Sequence, residues 1–407
     1  MTPYSSFFFF ILLGILLLPT IILGLNGKRF QGYNMFISII VLALIFAHDL
    51  HGVIALCIFT LWQVLLIRGY LAYRLKANSG FVFSMAVIAS ILPLFLSKLW
   101  PFFFPPAPHH PVHNLISFLG ISYLTFKGVQ LIMETRDGLI KEKMPLHRLL
   151  YFIMFFPTIS SGPIDRYRRF AKDEQKVWTK GEYADLLYTG IHKIFIGFLY
   201  KFIIGYAINT YFIMNLSHIT HSKLWGNVLY MYGYSLYLFF DFAGYTMFAV
   251  GVSYIMGIKS PENFNKPFIS KNIKDFWNRW HMSLSFWFRD YVFMRFVFWM
   301  TKKKWIKNRM AVSNIGYFLL FMLMGVWHGL ALQYIIYGLY HAVLMTGYNF
   351  FEKWNKKYKW SARQSFYGLF SHRHHIPFRM FRILYFLRKT ISSLKEIENT
   401  WNLNRKY

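Results

Sequence analysis

The chain has 407 residues, of which 56% are hydrophobic and only 15% are charged, and its mean hydropathy is +0.35. A soluble protein would carry about a quarter charged residues, so this composition excludes an ordinary soluble domain. The formal net charge of +29 first suggests nucleic acid, but the Lys and Arg residues fall in clusters between apolar runs, as the positive-inside rule predicts. We therefore expect no nucleic-acid partner. The positive charge is better explained by binding to anionic lipid headgroups of the bilayer and to an acidic cytosolic protein.

Apolar runs near 20 residues recur along the chain and predict an all-α, multi-pass protein of the cell membrane. The alternating ten-residue strands of a membrane β-barrel do not occur. The first run starts without charge and is followed by Lys28 and Arg29, which places the N-terminus outside the cell and, after the later crossings, the C-terminal tail in the cytosol. The expected spans are residues 7–24, 33–47, 53–66, 81–99, 114–133, 183–214, 224–256, 314–326 and 330–351.

Two stretches between these runs need a different interpretation. Residues 101–113, PFFFPPAPHHPVH, are too rich in proline for a helix, and their histidines have no acidic or cysteine partner, which favours an outer loop over a metal site. Residues 149–161 are apolar but too short to cross twice, although both flanks look cytosolic. A re-entrant hairpin buried in protein satisfies both conditions.

Polar and ionisable residues are concentrated in residues 276–291, FWNRWHMSLSFWFRDY. A shorter segment at residues 325–329, GVWHG, contains a similar Trp–His pair. Such a cluster beside membrane-length runs is costly to bury and predicts a functional site. A neutral imidazole is suited to taking a proton near pH 7, and burial keeps it neutral. We expect His328 to be a general base for an alcohol acceptor and His281 to be a second base, an orienting group or an oxyanion donor. The candidate substrate-binding residues are Asn278, Arg279, Trp280, Ser283, Arg289, Asp290 and Trp327.

Other uses of this cluster stay open at this point. A structural polar network at the membrane surface would need the same residue types. Ser283 and Ser285 could act as nucleophiles, but no G-x-S-x-G elbow surrounds them. Zinc at His281 and His328 would need further ligands, so we expect no metal.

Residues 291–300, YVFMRFVFWM, predict a short helix at the cytosolic edge of the membrane. Its apolar residues Met294, Val297 and Phe298 could pack into the bilayer or form a docking surface for a partner helix.

Three motifs together resemble the membrane-bound O-acyltransferase (MBOAT) family. They are FFPTISSGPIDRYRRF at residues 155–170, DFWNRWHMSLSFWFRDY at residues 275–291 and GVWHG. The resemblance covers residues 1–370 and is greatest to the branch that transfers D-alanine to teichoic acid. The branch that acetylates alginate shares two of the motifs, but it usually continues after RDY with L-G-G-x-R, which is missing here, and its chains are longer.

The resemblance implies a ring of about eleven transmembrane helices with re-entrant segments around a central funnel. It implies that His328 is the catalytic histidine and His281 the second motif histidine. D-alanine would arrive as a thioester on the phosphopantetheine of a small acidic carrier protein, which would dock at the 291–300 helix on the cytosolic side. The acceptor would be lipoteichoic acid, reached with a membrane-anchored extracellular partner, and no cofactor of its own is implied.

The tail departs from this pattern. The family normally ends with another apolar span, whereas residues 371–407 are basic and broken. When the tail is reverse-translated with permitted codons, a one-base shift near residues 361–375 can give an apolar end. A frameshift is therefore our hypothesis for the tail. Beside D-alanyl transfer, three other functions stay open: acetyl transfer to an exopolysaccharide, conduction by a transporter or channel, and a non-catalytic scaffold for cell-wall enzymes. The sequence shows no inverted repeat to favour a transporter.

Overall fold

The computed structural model describes residues 3–47, 49–103, 118–220 and 222–358. These residues form helices and loops with no β-strand among them, which confirms the all-α prediction. In chain order the helices are α1 Phe7–Leu25, α2 Gln31–Ile45, α3 Leu50–Arg74, α4 Gly80–Phe103, α5 Ile121–Arg136, α6 Leu146–Ile153, α7 Tyr167–Gln175, α8 Lys180–Phe198, α9 Leu216–Ile219, α10 Lys223–Ile255, α11 Ile273–Trp277, α12 Met282–Phe288, α13 Met294–Lys303, α14 Arg309–His328 and α15 Leu332–Tyr358.

Several helices have the length and composition of membrane spans. Six segments of the described chain qualify, and α2 is apolar but shorter. Large apolar side chains such as Ile58 and Phe81 lie exposed on these helices, as expected for surfaces that face lipid. The prediction of a polytopic membrane protein is confirmed, whereas the ring of about eleven spans stays a prediction. The six segments are Phe7–Leu25, Leu50–Arg74, Gly80–Trp100, Lys180–Ile213, Leu224–Ile255 and Arg309–His328.

Several predicted boundaries are wrong, among them the start of α14 at Arg309 rather than residue 314 and the end of α15 at Tyr358 rather than residue 351. Helix α3 continues to Arg74, past the expected end at residue 66, because arginine is a good helix former whose long side chain can reach polar surroundings from a helix end. Helix α4 extends to Phe103, into the expected proline-rich loop. The rest of that loop, and the tail at residues 371–407, lie outside the described residues.

The described chain divides into two compact units, residues 3–201 with 242–262 and residues 202–241 with 263–358. In the first unit α1 packs on α2 and α8, and α5 packs on α3 and α4. The expected hairpin at residues 149–161 is the end of α6 followed by a single 3₁₀ turn, Phe156–Thr158. Most side chains of this segment are buried, as predicted, and its position in the membrane stays a prediction.

In the second unit α14 and α15 form a close antiparallel pair joined by a three-residue turn. A Cβ atom at Gly325 would lie 2.5 Å from the carbonyl oxygen of Tyr334, and one at Gly338 would lie 2.6 Å from that of Phe321. Glycine at both positions therefore lets the two backbones touch. This contact fixes the end of α14, where His328 lies.

Candidate active site

His281 lies between two short helices, α11 and α12, and its side chain is only 6% exposed. Its backbone is left-handed, with φ 42° and ψ 52°, a conformation that costs a residue other than glycine about 1–2 kcal/mol. Backbone hydrogen bonds on both sides hold it. The Met282 N–H donates to the Asn263 carbonyl at 2.8 Å, and the Asn265 N–H donates to the Arg279 carbonyl at 3.0 Å. The turn thus fixes the direction of the His281 ring.

Ser283 and Trp280 stabilise the same turn. The Ser283 hydroxyl donates to Asn263 Oδ1 at 2.5 Å, and the Trp280 ring stacks on Phe276 with centroids 5.6 Å apart and meets Phe264 edge-on at 5.0 Å. Both residues were predicted to bind substrate, and their observed contacts are structural. The Ser285 hydroxyl donates to the Trp280 carbonyl at 3.0 Å. A nucleophilic role is therefore disfavoured for both serines, because their hydroxyl protons already have acceptors.

His328 is the last residue of α14, and its side chain is exposed. This corrects the expectation that burial would keep its imidazole neutral. Its ring lies against an aromatic wall, with ring centroids 4.6 Å from Trp327, 6.1 Å from Tyr334 and 5.5 Å from Tyr337. An exposed ring against such a wall can be reached by a substrate, whereas the buried His281 ring cannot be reached directly.

The two predicted histidines are brought together. Burial lowers the pKa of His281 to about 3, and the nearby His328 adds to this shift. His281 therefore stays neutral at physiological pH. A neutral imidazole beside His328 can accept or donate a hydrogen bond without repelling the charge that His328 gains when it takes a proton.

A third histidine at this site was missed by the sequence analysis. His341 of α15 is 2% exposed, and its ring meets Tyr337 edge-on at 4.5 Å and Trp277 at 4.9 Å. It is close enough to His328 for the two rings to interact electrostatically. The signal was present in the sequence, because Tyr334, Tyr337 and His341 have the i, i+3, i+7 spacing of one helix face.

A cavity of about 180 Å³ lies in the same unit and brings Asn278, Arg289 and Met294 together. The Arg289 Nε donates to Asp290 Oδ1 at 2.9 Å, whereas the Arg279 Nε donates to Asp275 Oδ1 at 2.7 Å. Neither His281 nor His328 is among the residues that line this cavity. Of the predicted substrate-binding residues, Asn278 and Arg289 thus line the cavity, Trp280 and Ser283 stabilise the turn around His281, and Trp327 lies against His328.

The candidate docking residues lie on α13. Phe298 is 71% exposed and Met294 is also exposed, one helical turn away. Val297 was expected to share this surface, but it is half-buried, because a Cβ on Gly316 of α14 would lie within 3.3 Å of it. Lys302 and Lys303 end the helix and add positive charge beside the apolar pair.

The described residues contain no group of three or more His, Cys, Asp or Glu side chains that could hold a metal ion. Among them, His281 and His328 therefore lack the additional ligands that a zinc site would need. The expectation that the chain uses no metal stays a prediction.

Comparison with known proteins identifies the family. The MBOAT family model, membrane-bound O-acyltransferase, matches residues 120–393. The teichoic acid D-alanyltransferase of Bacillus subtilis is 91% identical over 360 residues, 88% of this chain and 91% of that protein. The enzyme of the same name from Lacticaseibacillus rhamnosus is 45% identical over 88% of this chain and 89% of its own length.

The probable alginate O-acetylase AlgI of Pseudomonas aeruginosa is 30% identical, over 56% of this chain and 42% of its own length. This similarity is lower and covers less of both chains than the similarity to the D-alanyltransferases. The chain belongs to the membrane-bound O-acyltransferase family.

Proposed function

We propose that this chain is a D-alanyltransferase that moves D-alanine from a carrier-protein thioester to an acceptor in lipoteichoic acid D-alanylation. The observation that carries the proposal is the 91% identity to the Bacillus subtilis teichoic acid D-alanyltransferase over 88% of this chain. The neutral His281 beside the exposed His328 supplies a base of the kind that acyl transfer to a hydroxyl needs.

In the proposed reaction the Nε2 or Nδ1 atom of His328 takes the proton from the acceptor hydroxyl. The oxygen attacks the thioester carbonyl carbon, and a C–O bond forms as the C–S bond breaks. The thiolate leaves on the phosphopantetheine and takes the proton back from the His328 imidazolium. The exchange of thioester for ester needs no oxidant, metal or cofactor bound by this chain.

The neighbouring residues have different roles in this proposal. His281 orients the His328 ring, and Trp327 excludes water on one side. Asn278 and Arg289 line a cavity where an amide and a guanidinium can bind the polar groups of the incoming thioester arm. Arg279, Trp280, Ser283 and Asp290 keep these groups in position through the contacts described above.

We propose that an acidic, cytosolic D-alanyl carrier protein docks on α13. The exposed pair Met294 and Phe298 offers an apolar contact, and the lysines at the end of the helix attract an acidic partner. The positive-inside pattern favours a cytosolic position for this helix, an outer N-terminus and a cytosolic tail. A membrane-anchored extracellular partner would then receive or guide the acyl group on the outer side.

The decisive experiment measures D-alanine ester in the cell-wall polymer of a deletion strain that expresses His328→Ala. Wild type is the rescue control, and His192→Ala is a matched control, because His192 is an exposed histidine on α8 outside the site. We expect wild type and His192→Ala to restore the ester, and His328→Ala, at equal membrane level, to restore less than about 1% of it. Restoration by His328→Ala would instead make the protein a conduit or scaffold.

Carrier docking is tested with purified full-length protein and the loaded carrier. We expect Phe298→Glu to weaken carrier binding at least tenfold, because it places a negative charge at an apolar contact with an acidic partner. Ile269→Glu is the control, since Ile269 is an exposed apolar residue outside α13. Equal loss in both variants, or in neither, would remove α13 as the docking surface.

Acetyl transfer to an exopolysaccharide is the second candidate. The similarity to alginate O-acetylases favours it, but that similarity spans little more than half of this chain. Ester analysis of the same strains separates the two, because an acetyltransferase would change acetate rather than D-alanine in the polymer.

A further inference from the structure

A second cavity, of about 420 Å³, lies in the first unit at the point where α2 begins. Residues of α6 and α7 form its other walls. None of the predicted site residues lines it, and its interpretation does not depend on the acyl transfer proposed above. Its polar groups are mainly hydrogen-bond donors.

The first donors are backbone N–H groups at the start of α2. The residue before the helix, Phe30, provides no side-chain cap, and the Gln31 side chain points away to accept from the Phe30 N–H and to donate to the Lys176 carbonyl. The N–H groups of Gly32 and Tyr33 have no acceptor within the described chain. A Cβ at Gly32 would meet nothing within 4 Å, so space is open beside them. The positive end of the helix dipole adds to the attraction for an anion.

Two arginines add charge. The Arg148 Nε donates to Glu174 Oε2 at 2.8 Å, and Arg29 Nη2 lies 3.8 Å from Glu174 Oε1, too far for a hydrogen bond. The Glu174 carboxylate thus neutralises only one of the two guanidinium groups, so these three side chains together carry a net positive charge. Arg29 is largely exposed and can turn towards a ligand.

The third observation is a buried hydroxyl without a partner. Tyr151 is 3% exposed and lines the cavity, and its hydroxyl has no hydrogen-bond partner within the described chain. Its ring is held edge-on by Phe155 at 5.4 Å and by Phe170 at 5.2 Å, so the hydroxyl cannot easily swing away. A buried polar group without a partner is unfavourable, and an acceptor supplied by a ligand would remove the penalty.

We infer that this cavity binds a phosphate ester through the first N–H groups of α2, the Arg29 guanidinium and the Tyr151 hydroxyl. The chemistry fits a phosphodiester with one negative charge, which accepts several hydrogen bonds. Because α2 is an apolar helix that starts after a basic turn, this end of it suits the surface of a bilayer. The headgroup of an anionic phospholipid is the expected source, and a small soluble phosphate ester is the alternative source of the same group.

The test uses full-length protein, stripped of lipid in a neutral detergent. Native mass spectrometry and thermal unfolding would follow titration with short-chain phosphatidylglycerol in one arm and glycerol 1-phosphate in the other. We expect Tyr151→Phe and Arg29→Gln each to weaken binding about five- to tenfold, the effect of one lost charge-assisted hydrogen bond. Tyr188→Phe and Arg68→Gln are the matched controls, since both residues are exposed and neither lines this cavity.

Binding of phosphatidylglycerol alone, weakened by the two variants and unchanged in the controls, would support the headgroup site. Binding of both ligands with the same dependence would assign the site to any phosphate ester. The inference is overturned if both variants bind as wild type does, or if neither ligand binds wild type. Because the Arg29 side chain lies at the surface, Arg29→Gln should not disturb folding. It therefore provides the test by itself if Tyr151→Phe does disturb folding.

Discussion

Residues 155–170 and residues 276–291 look alike in sequence but use their polar groups differently. Both carry arginine, aspartate and serine beside apolar runs, and both are built of short helices and turns. In the first segment the polar groups bind to one another and to α5. Gln130 Nε2 donates to the Asp165 carbonyl at 2.9 Å, and Arg169 Nε donates to Asp165 Oδ1 at 2.9 Å. In the second segment the arginines are paired in the same way, but His281 is held in a strained backbone conformation beside another histidine.

The difference distinguishes polar residues that stabilise the fold from polar residues that are candidates for the reaction. Charged groups that a membrane protein buries are satisfied by each other, and a satisfied network stabilises one arrangement of the chain. Strain alone does not distinguish the two segments, because Ser161 in the first segment is also left-handed, with φ 40°. The second segment differs because the strained His281 lies beside the exposed ring of His328, which a substrate can reach. We therefore propose that residues 155–170 serve folding and that residues 276–291, with His328, serve the reaction.

Lys127 is the residue whose loss should damage the first region most. It is 1% exposed, and its Nζ donates to the carbonyl oxygens of Phe152 at 2.9 Å and Ile153 at 3.2 Å, at the end of α6. Lys127→Met should cost about 2–6 kcal/mol, because two buried carbonyls lose their donor at about 1–3 kcal/mol each. Thermal unfolding in detergent measures the loss, with Lys76→Met as the exposed control. An unchanged unfolding temperature would show that the first region does not depend on its polar network.

The stability that the second region, residues 276–291 with His328, gives the protein should depend on pH. The pKa of His281 is about 3 in the folded protein and should be near 6.5 in the unfolded chain. Between these values the unfolded chain binds a proton that the folded protein does not, so stability falls as the pH drops from about 6.5 towards 3. The loss from this residue should reach about 2–3 kcal/mol at pH 4.5.

Other groups also titrate in this range, so the measurement is a difference between variants. Unfolding temperatures are compared between pH 7.5 and pH 4.5 for wild type and for His281→Asn, which cannot take up the proton. We expect a smaller drop in the variant, and a drop as in wild type for the control His192→Asn, whose side chain is exposed. Equal drops in wild type and His281→Asn would mean that His281 is not buried as the structure shows.

Much of this architecture was predictable, because the length of an apolar run fixes a membrane helix closely. Helices α1 and α10 begin and end within one residue of the expected limits. The end of α3 was wrong because Arg68 was interpreted as the start of a loop, whereas a helix end tolerates it. His328 was identified through its motif, but its exposure depends on the turn after α14, which no periodicity encodes. His341 was missed because it lies inside an apolar run without a motif.

The smallest expected effect is that of replacing His341. It tests whether the region that takes part in the reaction, residues 276–291 with His328, extends along α15. The His341 ring contacts Tyr337, which also contacts His328, so we expect His341 to position the catalytic ring through that tyrosine. His341→Asn should lower kcat about tenfold and leave KM for the carrier thioester unchanged, because a positioning residue acts on the transition state rather than on docking. Transfer from the loaded carrier, measured with purified protein in liposomes, gives both constants.

A purely structural histidine would behave differently under the same assay. Its loss would lower the amount of folded protein but not kcat per folded molecule, and Tyr337→Phe, which keeps the ring, would have no effect. Tyr337→Leu, which removes the ring, should lower kcat as His341→Asn does, and if the two residues act as one unit the double variant should lose no more activity than either single variant. Additive losses would place the edge of the reaction region at His328, and non-additive losses would extend it one helical turn further along α15.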